Sequence, residues 1–191
     1  CYYSLGNYVE ALDNVDYALS ASKKNKEYFL TKAKILRALK NSIAAIECCN
    51  SALAIDANHN DALLQKSLAQ TELEEYENAT ALLGEITLND DSNAYAYLQR
   101  AWILDKFMKQ NKNAQTFYNR VISLPSNDIK SYKGFAYHLT GDNTNALTWI
   151  QNVLAATKTS DGYEYYIATC FYALCGDNEN ALKCMEIALQ K

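Results

Sequence analysis

Gly141-Asp142-Asn143-Thr144-Asn145-Ala146-Leu147 returns, with one residue changed, as Gly176-Asp177-Asn178-Glu179-Asn180-Ala181-Leu182. Looser versions of the phrase stand at Gly6-Asn7-Tyr8-Val9-Glu10-Ala11-Leu12 and at Glu74-Glu75-Tyr76-Glu77-Asn78-Ala79. Each reads as a turn that opens a helix. With its alanine as the anchor, the series runs Ala11, Ala45, Ala79, Ala114, Ala146 and Ala181, at intervals of 34, 34, 35, 32 and 35 residues. Two helical turns after each anchor, on the same face, stand Ala18, Ala52, Ile86, Val121, Val153 and Ala188. A second series, Ala33, Ser67, Ala101, Gly134 and Thr169, precedes the first by 12, 12, 13, 12 and 12 residues. A fixed period of this length marks an array of supersecondary units. The single 13 places one extra residue in the loop around Lys109 to Asn113.

Two helices of about 13 residues are each too short to be stable alone and must pack on one another. Ala, Ser or Gly at the contact lets the backbones approach, and bulkier neighbours fill the remaining space. Tyr97, Ala101 and Leu104 are expected to form the buried stripe of one first helix, and Phe117, Val121 and Leu124 that of its second.

Composition agrees with helices. The 191 residues include one proline and six glycines, 49% are apolar and 21% charged, and 15 Tyr, 5 Phe and 2 Trp exclude a disordered or collagen-like chain. An all-β domain would spend more Gly and Pro on turns. A net charge of −4 and an isoelectric point of about 5.2 argue against nucleic acid as a partner, which calls for a Lys/Arg excess. The longest strongly apolar stretch, Tyr165 to Gly176, is well short of the ~20 residues that cross a bilayer, so membrane insertion is not expected of this segment. Cysteines at 1, 48, 49, 170, 175 and 184 lack the spacing of a disulfide framework and are expected as buried thiols. His59 and His138 are isolated, so no metal site and no cofactor is expected.

The pattern resembles the tetratricopeptide repeat, a helix-turn-helix unit with a large residue, a small one four later, a Gly-Asp-Tyr-like turn and two small contact residues in the second helix. The likeness covers the whole chain as a partial repeat at 1–25 and full ones at 26–59, 60–93, 94–126, 127–161 and 162–191. It implies an all-α, right-handed superhelical solenoid forming a single domain. The proline that often closes the family's unit is replaced by Ala57 and Asp91, with only Pro125 near such a place. RNA-reading pentatricopeptide repeats are similar in length but usually basic, unlike this chain.

The resemblance further implies a concave groove, lined by the first helices, that holds a peptide segment of a partner. Helical spacing opposite the core stripe selects Leu30, Lys34 and Arg37; Leu64, Gln65, Leu68 and Glu72; Tyr95, Leu98, Gln99, Trp102 and Asp105; Ser131, Tyr132, Phe135 and His138; and Tyr163, Tyr166, Ile167 and Cys170. Relatives that clamp a chaperone's terminal carboxylate use Lys, Asn and Arg where this chain has Leu30, Lys34, Gln65, Tyr95 and Gln99, so carboxylate-clamp chaperone binding is not expected. Tyr95, Trp102, Tyr132, Phe135 and Tyr166 offer rigid amphipathic anchors of the kind enriched at interfaces. Charge is uneven: residues 22–41 carry +6 and residues 56–91 carry −8. Solvated faces with a few salt bridges between neighbouring units are the expected use, and steering of a charged partner is the alternative.

No nucleophile, metal-ligand or phosphate-loop motif appears, so the chain is not read as an enzyme. The leading reading is a protein-interaction scaffold. The alternative is a regulatory or substrate-recruiting segment of a larger enzyme or envelope protein, with self-association through uncapped ends. Beginning at Cys1, the sequence reads as a piece of a longer protein; any targeting signal would lie outside it, and the cytoplasm is the default compartment. The helix Tyr163 to Cys175 is apolar nearly all round, so further sequence, a second copy or a ligand segment is expected against it.

Overall fold

The computed structural model describes residues 7–22, 24–125, 131–157 and 162–190. Among them are eleven α-helices and no strand, in two compact units that meet in sequence at Gln110 and Asn111. The opening residues 1–6 of the partial repeat expected at 1–25 lie outside the described residues.

The first unit holds α1 (Tyr8–Ala21), α2 (Lys26–Ala38), α3 (Ser42–Ile55), α4 (Asn60–Glu72), α5 (Tyr76–Asn89) and α6 (Ala94–Lys106). Each of α1 to α5 packs on its successor, and α2 also touches α4. The even-numbered helices start 34 residues apart, and the anchors do what close packing asks of them. Ala33, Ala45, Ser67, Ala79 and Ala101 are wholly buried. The core is therefore a file of small clusters. Ala11 and Val15 meet Ile35; Ala33, Leu36, Ala45, Cys49 and Ala69 follow; then come Leu63, Ala79, Leu83, Ile86, Ala96 and Ile103. Leu30 joins Ala52 and Ala62 where α2, α3 and α4 converge, so it belongs to the core and not to the outward face the spacing gave it. Leu98 is buried for the same reason: an apolar side chain beside the stripe widens it.

Gly84 has no part in the repeat pattern, and the structure supplies one. A Cβ there would stand 3.3 Å from Nη1 of Arg100, so the bare backbone of α5 gives the guanidinium its place. Burial lowers the pKa of that guanidinium.

The second unit holds α7 (Asn111–Ser123), α8 (Tyr132–Leu139), α9 (Asn143–Ala156), α10 (Gly162–Leu174) and α11 (Asn178–Leu189). Its main cluster joins Ala146, Ile150, Ala168, Phe171, Tyr172, Ala181 and Cys184. Ala114, Val121 and Leu124 are buried as expected, whereas Phe117 is only half-buried. Cys49 and Cys184 are buried thiols, Cys49 pushed up to about 12 by desolvation, but Cys170 and Cys175 are exposed, against the expectation for the cysteines.

One turn geometry recurs between helices. Five residues before the anchor alanine the backbone is left-handed: φ is 61° at Lys40, 63° at Glu74, 57° at Lys109, 90° at Gly141 and 77° at Gly176. The next N–H then reaches back to close the helix, as Asn41 does to the Leu36 carbonyl and Asp177 to that of Tyr172. The turn after α6 has four residues, 107–110, and there the closing bond runs from Gln110 to Leu104, one residue further back. Side-chain oxygens of Asn41, Asp142 and Asp177 cap the following helices by accepting from the N–H three residues on.

Gly134 carries the tightest helix contact. A Cβ on it would come within 2.7 Å of Cδ1 and Cγ1 of Ile150, closer than carbon atoms can stand. Helix propensity favours alanine by about 1 kcal/mol, but overpacking costs about 1–3 kcal/mol, so overpacking wins. Gly134→Ala is expected to lower the urea midpoint reported by Trp149 fluorescence in a Trp102→Phe background, and adding Ile150→Val to recover part of the loss.

Candidate functional site

Most of the side chains singled out for the outward face of the first helices are half-buried, neither spent in the core nor free of the protein. In the first unit these are Lys34 and Arg37 on α2, Gln65 and Leu68 on α4, and Tyr95, Gln99 and Trp102 on α6. Lys34, Leu68 and Trp102 stand 34 residues apart, as do Gln65 and Gln99, and so hold equivalent places in successive helices.

Arg37 is the hub of a polar network. Its Nη1 donates to Oε1 of Gln65 at 2.6 Å and its Nη2 to Oε1 of Glu72 at 2.9 Å, while the other Glu72 oxygen accepts from the Ser42 hydroxyl. The expected pairing between the basic and acidic stretches is thus present, and it is extended by Lys26 with Asp56 and by His59 with Glu27. The Trp102 ring has the Lys106 ammonium 5.5 Å from its centre.

In the second unit Tyr132, Phe135 and His138 lie on α8 and Tyr166 on α10. The Tyr132 and Tyr163 hydroxyls meet at 3.3 Å. Phe135 sets its edge on Phe171, 5.6 Å between ring centres, so part of its surface serves the core. Ser131 is buried with its hydroxyl donating to Glu164, and so leaves the outward face. Tyr166 is 51% and Tyr163 57% exposed, the largest aromatic surfaces α10 offers. Cys170 beside Tyr166, together with partial burial, raises the pKa of that phenol.

The fold also makes a cleft that periodicity did not reveal. Between the end of α8, the start of α9 and the end of α10 lies a space of about 270 Å3, with Phe171 and Tyr172 as its floor and His138, Leu147, Cys175 and Asp177 around it. Cys175 Sγ stands 3.7 Å from His138 Nδ1, bringing together a cysteine and a histidine 37 residues apart in sequence. The signal was available: each residue closes a first helix, one repeat apart. Chemically the pair is not set up as nucleophile and base. His138 Nδ1 is also 2.7 Å from Asn143 Oδ1, so the thiol shares that nitrogen with a second, closer partner. Burial and the Asp177 carboxylate push the Cys175 thiol up, the reverse of activation.

Among the described residues no group of three or more His, Cys, Asp or Glu side chains is placed to hold a metal ion. No helix among them is long and apolar enough to cross a membrane.

Comparison with known proteins follows the repeat. Residues 27–59 and 95–125 each match a tetratricopeptide repeat model. No curated protein matches the chain. A tetratricopeptide repeat protein of Parabacteroides merdae superposes with a TM-score of 0.68 at 22% identity, over 99% of this chain and 74% of that one. A thermophilic one from Thermus thermophilus gives 0.68 at 18%, over 90% and 92% of the two chains. YrrB, described as having an unusual peptide-binding site, gives 0.55 at 20%, over 94% and 93%. At these identities the likeness is one of fold.

The Arg37 network has a measurable weight. Removing a half-buried, charge-assisted set of hydrogen bonds costs about 1.5–3 kcal/mol. Arg37→Ala is expected to lose that order of stability, read from Trp102 fluorescence in a Trp149→Phe background. Arg37→Lys should restore little, since one ammonium cannot serve Gln65 and Glu72 in the same fork.

Acid should loosen both units. The bond from Lys26 holds Asp56 below the usual carboxylate range, and those from Asn180 do the same for Asp177. Groups lowered on folding contribute stability above about pH 4 that is lost as pH falls through the folded value. Lys26 is raised by the same bond with Asp56, so its share persists until pH climbs past about 10.4. The urea midpoint is expected to fall between pH 5 and pH 3, and to fall less in Asp177→Asn.

Proposed function

Since this is a tetratricopeptide repeat protein, we propose that it works as a protein-interaction scaffold, offering the outward faces of its first helices to peptide segments of a partner. Tetratricopeptide repeat proteins are generally scaffolds that bind protein or peptide partners. The observation that carries the reading here is the set of side chains the core leaves over: Lys34, Gln65, Leu68, Gln99 and Trp102 in one unit and Tyr132 and His138 in the other are half-buried, and Tyr166 is exposed beside them. Half-burial fixes a side chain's rotamer before any partner arrives, so less entropy is lost on binding. Tyr and Trp add area at a cost of only two torsions each. The peptide-binding site ascribed to YrrB, which shares the fold, is in keeping with this use.

The chemistry of the faces narrows the ligand. Arg37 is committed to Glu72 and Gln65, and Lys34 alone does not make a pocket for a terminal carboxylate. The partner is therefore read as an internal segment rather than a chaperone tail. The geometry is in keeping with a non-catalytic role: among the described residues, Cys175 and His138 are brought together with the thiol pushed up rather than activated.

Partners captured from lysate by the wild-type chain should be identified by mass spectrometry and then titrated. Trp102→Ala or Tyr132→Ala is expected to weaken binding by about tenfold or more, the loss typical of an interface anchor. Unchanged affinity in both variants would sink the proposed faces, and tight binding that requires a free carboxyl terminus on the peptide would overturn the internal-segment reading.

A further inference from the structure

The cleft at the helix turns of the second unit has a chemistry of its own. Its floor is apolar and buried, Phe171 being 1% and Tyr172 5% exposed, and Leu147, 42% exposed, makes one wall. Among the described residues, Asp177 is the one formally charged acidic or basic side chain that lines it. Both Asp177 oxygens accept from Asn180, at 3.1 Å from its backbone N and 2.8 Å from its side chain, which pins the carboxylate in place. Each oxygen retains a lone pair for a further donor. The carboxylate is also held below the usual range and so is ionised throughout the neutral region. Nearby on the same turns are the acids Asp142, capping α9, and Glu179; the cation closest in sequence, Lys183, is taken up by Glu179 at 2.6 Å.

A space of about 270 Å3 with an apolar floor and a fixed anionic rim suits a side chain that is oily along its stem and positive at its tip. The geometry points to this cleft as the socket for a lysine or arginine of a basic peptide segment on a partner protein, its methylenes over Phe171 and Leu147 and its charge at Asp177. The inference rests on the scaffold reading and adds to it a second contact, at the turns rather than along the first helices, and a sign of charge for the partner. An acidic segment would meet Asp177, Asp142 and Glu179 as like charges, and a neutral aromatic side chain would leave the carboxylate without a new donor.

The test needs no knowledge of the partner. The full chain, labelled with 15N, is titrated at pH 8 with Nα-acetyl-arginine amide, and in parallel with the citrulline analogue, which has nearly the same shape and no charge. Saturable shifts are expected at the amides of Leu147, Cys175 and Gly176, with citrulline binding weaker by roughly two- to fivefold, the worth of one exposed ion pair. Asp177→Asn keeps a capping oxygen for α11 and is expected to reduce arginine to the citrulline level. Equal binding of the two probes would overturn the proposal, as would arginine binding unchanged in Asp177→Asn or shifts that do not saturate at the cleft. The probe comparison uses the wild-type chain, so it decides even where the variant fails to fold. Loss of the partner's affinity in Trp102→Ala and Tyr132→Ala is a separate readout, so the socket and the helix faces stand or fall independently.

Discussion

Everything in this molecule depends on how closely two short helices can approach. A helix of 13 or 14 residues has little stability of its own and must recover it from a neighbour. Ala33 against the Ala45 helix, Ser67 against the Ala79 helix and Gly134 against Ile150 each remove side-chain bulk from the line of contact. Shortening the distance between axes lets Leu36, Leu83 and Ile103 fill the space beside that line at close-packed density. The turns serve the same end. A left-handed residue in a three-residue connection folds α3 back on α2 and α5 back on α4, and Lys40 and Glu74 adopt that conformation even without glycine's freedom.

What the sequence discloses and what it hides divide along that contact. The small anchors recur at a fixed interval because the close approach permits little else, so the helices, their order and the turn positions were all readable, including the extra residue that lengthens the 107–110 turn. Side chains beside the anchors are chosen less strictly. Leu30 and Leu98, assigned outward by spacing alone, are inside because an apolar side chain at the border of a helix stripe goes wherever space allows. Ser131 follows Glu164 inward, since a hydrogen bond makes its burial tolerable. The pairing of His138 with Cys175 escaped the reading because it joins the ends of two helices one repeat apart, and a search for local motifs does not compare such positions. Gly84 was opaque for a simpler reason: its partner, Arg100, is polar and falls outside any hydrophobic pattern.

The polar groups have a different task in each unit. In the first, some of the charges that form blocks along the sequence are engaged in bonds between repeats, Arg37 of α2 with Glu72 of α4 and Lys26 of α2 with Asp56 at the end of α3. In the second, the buried polar contacts of Ser131 with Glu164 and of Lys133 over Trp149 are internal, and the surface is left to tyrosines and to the turn carboxylates. A scaffold assembled in this way separates what keeps it folded from what it displays, so its faces tolerate change that its contact lines do not.

The file of small clusters in the first unit also fixes how it would bear a load. Among its described residues no strand pairs an early segment with a late one, and the helix contacts are mainly between a helix and its immediate successor. Drawn apart at its two ends, such a unit has no single lock to break. Helices would peel away one pair at a time, each step giving up one small cluster at modest force, and on release the short, local closures would re-form quickly. The first unit would in that sense extend as a soft spring, in increments set by the 34-residue spacing of its anchors.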